Sequence, residues 1–405
     1  MTIDCHFCPL FVYLYTMIER KLKKKLLAMA GTFPVVTITG PRQSGKTTLV
    51  KAVFPSYDYV TLEDPDIRAI ALSDPRKFLS GHEQGLIIDE AQRAPELFSY
   101  IQGIVDLRDK TGQFILTGSQ NFLLLEKISQ TLAGRVAVLK LLPLSLDELK
   151  SSGLKLENAD NLIFLGMYPR LFDKKINPAD YYPFYIQTYV EKDVKLVKNI
   201  ANQSTFIKFL KMCAGRTGQL LNMNELANAS GIDQRTVKSW VSVLEASYII
   251  YLLYPHHKNY NKRLIKMPKL YFYDTGLACS LLGIRNKEQL PIHFSYGSLF
   301  ENFVINEFFK NAFNAAKTPD LYFWRDKSGR EIDLIFEQPE KLIPIEIKAG
   351  KTFSMDFFKN LNQWNKLSGS NPENAYVIYG GDKQFSLSNG NVIGWKEINQ
   401  LLKKI

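Results

Sequence analysis

Gly40 to Thr48 reads GPRQSGKTT, and the fixed positions of G-x-x-x-x-G-K-[ST] fall on Gly40, Gly45, Lys46 and Thr47. The run before it, Pro34-Val35-Val36-Thr37-Ile38-Thr39, is β-branched and apolar, and Leu49-Val50-Lys51-Ala52-Val53 follows. That setting predicts a buried strand, a glycine loop and the start of a helix. Glycines at 40 and 45 allow backbone conformations and close approaches that a Cβ would block. Gly40, Pro41, Arg42, Gln43, Ser44, Gly45, Lys46, Thr47 and Thr48 would then wrap a phosphate group, aided by the positive end of the helix. Lys46 would reach the β- and γ-phosphates of ATP, and the Thr47 hydroxyl would take a place on Mg²⁺. A plain glycine turn with a surface lysine needs neither all four fixed positions nor both flanking elements.

A second charged pair lies downstream, where Gly85-Leu86-Ile87-Ile88-Asp89-Glu90 reads as an apolar strand ending in two acids. Asp89 would belong to the Mg²⁺ shell, and Glu90 would orient or deprotonate the attacking water, which marks a hydrolysing site rather than a purely binding one. The competing reading is an acidic helix cap after a buried strand. Tyr57 to Leu62 and Gln113 to Ser119 read as further strands, and Glu96 to Arg108 spaces Leu97, Tyr100, Ile101, Ile104 and Val105 as a helix on a sheet. Alternation of this kind predicts a parallel sheet with its ligand at the carboxyl ends of the strands. Thr117 or Ser119 would sense the γ-phosphate there, or cap the next helix.

GPRQSGKTTL, LIIDEAQRAPELF, FILTGSQNFLLL, TLAGRV and LLPLSLDEL together resemble prokaryotic AAA+-related ATPases whose C-terminal half is a domain of unknown function. The resemblance implies ATP and Mg²⁺ as cofactors and an arginine that completes a neighbouring active site. Arg135 is the position onto which that role carries, with a salt-bridging strand-entry residue as the alternative. An arginine finger contributes roughly 10³–10⁵ in rate. It implies a homo-oligomer.

The 405 residues predict two to four domains, and 46% hydrophobic with 22% charged residues describes globular rather than disordered chain. The net charge of +11 favours a polyanionic partner, nucleic acid before membrane, although a solvated basic surface gives the same total. Cys5, Cys8, Cys213 and Cys279 are too scattered for a disulfide framework and fit a reducing cytoplasm. Cys5 and Cys8 have the spacing of half a zinc site with no second half. The apolar run Phe7 to Tyr15 is too short to span a bilayer. Residues 1–16 are expected to be an upstream-start artefact or a disordered extension.

Residues 151–205 read as a helical lid or connector rich in tyrosine. Met223 to Ser230, Gly231-Ile232-Asp233 and Gln234 to Trp240 resemble a helix-turn-helix carrying Arg235 and Lys238. A strand-like run from Tyr248 to Leu253 predicts a winged version, with Lys258, Lys262, Arg263 and Lys266 near the wing, for DNA or for protein packing.

Beyond Ser298, a helical run is followed by strand-like Leu321 to Arg325, Glu331 to Glu337 and Leu342 to Lys348. Glu301, Glu331-Ile332-Asp333 and Glu346-Ile347-Lys348 resemble the PD-(D/E)xK restriction-endonuclease fold, with its first Pro-Asp replaced by Ile-Asp. Glu301, Asp333 and Glu346 would bind a metal ion, with Lys348 as their partner at the phosphate. Alternation puts Ile343, Ile345 and Ile347 on one strand face and Glu346 with Lys348 on the other.

The fold class expected is therefore α/β multidomain: extension 1–16, P-loop parallel-sheet ATPase core 17–150, helical lid 151–205, winged helix-turn-helix 206–285, and C-terminal α/β restriction-endonuclease-like domain 290–405. Such a chain would hydrolyse ATP and act on nucleic acid, with a metal-dependent nuclease-like domain. The alternative is an ATP-dependent signalling or assembly switch whose C-terminal domains only bind a partner. Nothing amphipathic supports a role on membranes.

Overall fold

A computed structural model of the chain describes residues 18–108, 110–119, 128, 130–190, 203–257 and 267–405. Residues 1–16 with Cys5 and Cys8, the stretch Glu191-Lys192-Asp193, and Lys258, Lys262, Arg263 and Lys266 lie outside them. Among the described residues no helix is long and apolar enough to cross a membrane.

The β-branched runs of the first third form the strands expected of them. β1 (Val35–Thr39), β2 (Asp58–Thr61), β3 (Leu86–Asp89), β4 (Phe114–Gly118) and β5 (Val136–Lys140) make one sheet in the order β2-β3-β4-β1-β5. Every neighbouring pair is parallel. β1, β3 and β4 are buried along their whole length, as strands covered on both faces must be. Leu22, Leu26, Leu49 and Val50 pack one face through Val36 and Ile38, while helix Leu97–Arg108 packs the other through Phe98, Ile101 and Val105. β4 stands between β1 and β3, so the glycine loop and the two acids are separated by one strand.

Short helices occupy 146–190, and helices Gln203–Ala214, Met223–Ser230 and Gln234–Ala246 follow. Asn222 caps the second of these three through Asn224 N and Glu225 N, and Asp233 caps the third through Thr236 N. Between them Gly231 takes φ 72° and donates its N–H to Ala227 O, a left-handed stop that a side chain would strain. An antiparallel pair, β6 (Ile250–Leu253) and β7 (Lys269–Phe272), closes the region.

The C-terminal α/β domain has its own six-stranded sheet. β8 (Leu321–Arg325), β9 (Glu331–Glu337), β10 (Leu342–Lys348), β11 (Tyr376–Tyr379), β12 (Phe385–Leu387) and β13 (Gly390–Gly394) run in the order β12-β13-β11-β10-β9-β8. Ile343, Ile345 and Ile347 share one face with Phe300, Phe303 and Val304 of helix Tyr296–Asn314. The opposite face is covered by helix Lys359–Ser368 through Leu361 and Trp364. Alternation along β10 is thus as expected, but the face of Glu346 is covered, and that carboxylate is fully buried. The larger apolar core runs without a break from Leu142 to Leu401, joining the middle helices to this domain.

One buried ion pair locks the start of the described chain onto the ATPase core. Glu148 is fully buried; its Oε1 accepts from Arg20 Nε at 3.0 Å and Lys21 N at 2.8 Å, and its Oε2 from Ser145 N at 2.9 Å. Ser145 Oγ accepts in return from Glu148 N, completing a capping box. Replacing Glu148 by alanine strands the Arg20 charge and should cost about 3–5 kcal/mol. The joint Arg20→Met, Glu148→Leu exchange should cost less than Glu148→Ala alone. Urea unfolding followed by circular dichroism measures both, and a single variant as stable as wild type would refute the clamp.

Candidate active site

The glycine loop folds as its spacing demands. Gly40 and Gly45 sit at φ 151° and φ 92°, and a Cβ on Gly40 would lie 2.1 Å from Leu141 O. Helix Lys46–Val53 begins directly after Gly45, so Lys46 stands at its positive end. Lys46 is nearly buried, and its Nζ donates to Gly40 O at 2.9 Å and Pro41 O at 2.8 Å. Ser44 Oγ is buried with no hydrogen-bond partner.

Two strands away, Asp89 and Glu90 close the other wall. Thr47 Oγ1 donates to Asp89 Oδ2 at 2.9 Å, which bridges the loop to β3. The same oxygen accepts from Tyr59 OH at 2.9 Å, and Thr117 Oγ1 donates to Asp89 Oδ1. Burial, reinforced by the Asp89 charge, raises the Tyr59 phenol well above its usual range. Glu90 holds φ 54°, a left-handed conformation uncommon for a side chain, and its Oε2 accepts from Gln92 Nε2 and, at 3.3 Å, from Ser119 Oγ. Thr117 thus meets Asp89 and Ser119 meets Glu90.

Lys46, Thr47, Thr48, Arg42, Gln43 and Glu90 line one cleft of about 1280 Å³. Its remaining walls include Arg20, just before the first described helix, Lys23 at that helix's start, and Arg170, Phe172 and Lys174 beyond the sheet. An ammonium, a hydroxyl beside a carboxylate and a helix N-terminus at one cleft, with the unpartnered Ser44 hydroxyl buried in the loop behind them, fit a magnesium nucleotide. Arg135 is not in this cleft. It is half-exposed at the entry to β5, paired with Asp106 and donating to Ala133 O at 3.0 Å.

Three residues of this site carry no motif. Arg20 Nη1 donates to Ser44 O and Nη2 to Leu142 O. Tyr181 OH donates to Gln43 Oε1 at 2.8 Å, and Tyr185 OH to Arg42 O at 3.4 Å. For the tyrosines the only sequence signal is their density between 181 and 189; for Arg20 there is none.

The C-terminal set is arranged differently from the expectation. Glu301 meets Lys269 Nζ at 3.2 Å and accepts from Tyr271 OH. Lys269 also pairs with Glu331, and Lys348 Nζ meets Glu346 and, at 3.4 Å, Asp333. Asp333 Oδ2 accepts the backbone N–H of Ile347 at 2.8 Å. Burial pushes the Glu301 carboxyl up to about 7 against the pull of Lys269, and burial with the Asp333 charge raises Glu346 as well. Burial opposes the Lys269 charge, but Glu301, Glu331 and Asp333 outweigh it and hold the ammonium above its usual range. Among the described residues no three acidic, histidine or cysteine side chains are grouped to hold a metal ion. Glu301, Asp333 and Glu346 therefore do not fit a metal centre as they stand, because lysines already neutralise them. Lys269 shares a strand face with Tyr271, the other partner of Glu301.

Comparison with known proteins divides the chain in three. Residues 32–150 match the AAA domain, 156–288 a domain of unknown function (DUF8612) and 296–398 a domain of unknown function (DUF4143). Uncharacterized protein Rv2008c of Mycobacterium tuberculosis and uncharacterized protein Mb2031c of Mycobacterium bovis are each 32% identical over 358 residues, 88% of this chain and 78% of theirs. Among solved structures, the Walker-type ATPase paby2304 of Pyrococcus abyssi is similar at 14% identity, over 64% of this chain and 94% of its own, with a TM-score of 0.44.

The Tyr181 contact makes a measurable claim on the loop. One hydrogen bond contributes about 0.5–1.5 kcal/mol, so Tyr181→Phe should weaken nucleotide binding by about two- to twelvefold. Titration with a fluorescent nucleotide, alongside a melting curve that moves little, checks it. Unchanged affinity would leave Tyr181 without a part in the site.

Proposed function

The chain belongs to the family of the mycobacterial proteins Rv2008c and Mb2031c, and we propose that this P-loop ATPase uses ATP hydrolysis to act on nucleic acid. The observation that carries the ATP chemistry is the Thr47–Asp89 contact, which unites the phosphate loop and the acidic strand around one cleft. Lys46 binds phosphate oxygens, trading its hold on the Gly40 and Pro41 carbonyls for them. Thr47 and Asp89 would hold Mg²⁺, which supplies charge neutralisation at the phosphates. Glu90 orients water and takes its proton, fixed in place by Gln92 and Ser119.

Lys46→Ala should abolish nucleotide binding, whereas Glu90→Gln should keep Mg-ATP binding and lose turnover by about 10²–10⁴-fold. Steady ATPase activity in the glutamine variant would remove Glu90 from the mechanism. We read Arg135, which stands outside its own cleft, as serving a second copy of the chain. If it serves a neighbour's nucleotide, inactive Arg135→Ala and inactive Glu90→Gln proteins should regain activity on mixing, because the mixture contains intact composite sites. No recovery at any mixing ratio would confine Arg135 to its salt bridge with Asp106.

Nucleic acid, and DNA in particular, is the partner favoured by helix Gln234–Ala246. Val237, Trp240, Val241 and Leu244 are buried on one side, while Arg235 and Lys238 are exposed and, among the described residues, take part in no ion pair. We read this helix, its predecessor and the β6–β7 pair as a winged helix-turn-helix within 206–285, beside a lid over 151–205 and a restriction-endonuclease-like domain over 290–405. Arg235→Ala with Lys238→Ala should weaken DNA binding and reduce the salt slope by about 2, leaving basal ATPase activity unchanged. An unaltered slope would assign that helix to protein contacts. For the C-terminal domain a second reading is favoured by its lysine-neutralised acids: binding of a partner rather than metal-dependent cleavage.

A further inference from the structure

The Asp89 carboxylate is held by more donors than its motif supplies. Thr47 Oγ1 and Tyr59 OH each donate to Oδ2 at 2.9 Å, while Thr117 Oγ1 and, at 3.2 Å, Glu90 N donate to Oδ1. An ionised carboxylate offers about four lone-pair sites, so these donors fill it. Tyr59 comes from β2, at the edge of the sheet, and is the one donor from outside the phosphate-loop helix and the strands β3 and β4 with their ends. Its ring is gripped in turn, because Lys51 Nζ stands 3.3 Å from the ring centroid. Thr47 and Lys51 lie one turn apart on helix Lys46–Val53. A single turn of that helix therefore holds both ends of a run of contacts from Thr47 to Asp89 to Tyr59 to Lys51.

This closed circuit governs what Thr47 offers the cleft that it lines. Its hydroxyl has one proton, which goes to Asp89 Oδ2, so its lone pairs remain for a cation. A carboxylate turns about its last bond in a broad well, and one donor alone would leave Oδ2 free to swing. The Thr47 proton would then turn with its acceptor, and a proton facing the cleft repels a metal ion. We propose that Tyr59 is a positioning residue for the metal of the bound nucleotide: its hydroxyl fixes the Asp89 oxygen that takes the Thr47 proton, and so keeps the Thr47 lone pairs turned to Mg²⁺. The proposal deepens the reading of Thr47 and Asp89 as the Mg²⁺ holders and rests on it.

The test uses the full chain and a fluorescent ATP analogue, titrated first in EDTA and then against increasing Mg²⁺. Tyr59→Phe keeps the ring, and with it the Lys51 contact, and removes only the hydroxyl. Its affinity in EDTA should stay within about twofold of wild type, while the Mg²⁺ concentration giving half of the metal-dependent gain should rise about tenfold. The melting temperature without ligand, read alongside, should move little. A residue that only supported the fold would lower the melting temperature and weaken binding equally with and without metal, and that result would overturn the proposal. So would a Mg²⁺ requirement equal to that of wild type. If the wild type itself binds the analogue equally well in EDTA and in Mg²⁺, the reading of Thr47 and Asp89 as metal holders falls first, and this inference with it.

Discussion

A loop that aims its N–H groups at an anion must leave its carbonyls to be satisfied from behind, and this requirement organises the molecule around residues 40–48. Leu49 N supplies Gly45 O and Ser44 N reaches Pro41 O, while four of the carbonyls are met by side chains. Lys46 supplies Gly40 and Pro41, Arg20 supplies Ser44, and Tyr185 supplies Arg42. Tyr181 fixes the Gln43 side chain, in a residue whose own φ of 61° is left-handed. Lys46 alone belongs to the motif; the other side-chain donors bring in the chain before the sheet and the helices after it.

Arg20 is anchored in turn by a buried polar contact, and contacts of that kind join the ATPase core to the rest. Arg20 is held by Glu148, and the first turn of the Glu148 helix gives Leu146 N to Glu307 Oε2 of the C-terminal domain at 2.7 Å. Glu307 and Lys310 form a buried pair at 2.7 Å on helix Tyr296–Asn314. On the other side Tyr248 OH meets Thr39 Oγ1 at 2.7 Å, tying the last residue of β1 to the middle region. Groups this deeply buried cost too much to leave unpaired, so these contacts fix one arrangement of the parts rather than adding greatly to stability.

What the sequence made legible was local. The glycine loop, the acids ending β3 and the apolar periods of the sheets and helices depend on neighbours within one strand or one turn, and they stand where spacing put them. Arg20 with Glu148 and Tyr181 with Gln43 are separated by 128 and 138 residues, and no periodicity links such positions. The same limit explains the C-terminal acids. Alternation correctly paired Glu346 with Lys348, but it could not foresee the covering helix Lys359–Ser368 or a lysine arriving from β7. Arg135 was legible as a strand-entry arginine, and its partner Asp106 lies on a helix that only the folded sheet brings near.

The chain from β7 to Asp274 links the C-terminal acidic cluster to the tyrosines beside the phosphate loop. Lys269 opens the strand and enters the acidic cluster; Asp274, five positions on, is fully inside the middle region and accepts from Met167 N at 2.7 Å and Tyr182 OH at 2.6 Å. Tyr182 packs edge-on against Tyr181, the residue that holds Gln43 of the phosphate loop. A strand segment of this length is stiff, and its backbone is paired with β6. Lys269 and Asp274 are thus two buried charged groups on one short stretch of chain, each costly to leave unpaired, and together they hold that stretch between the C-terminal domain and the tyrosines beside the loop.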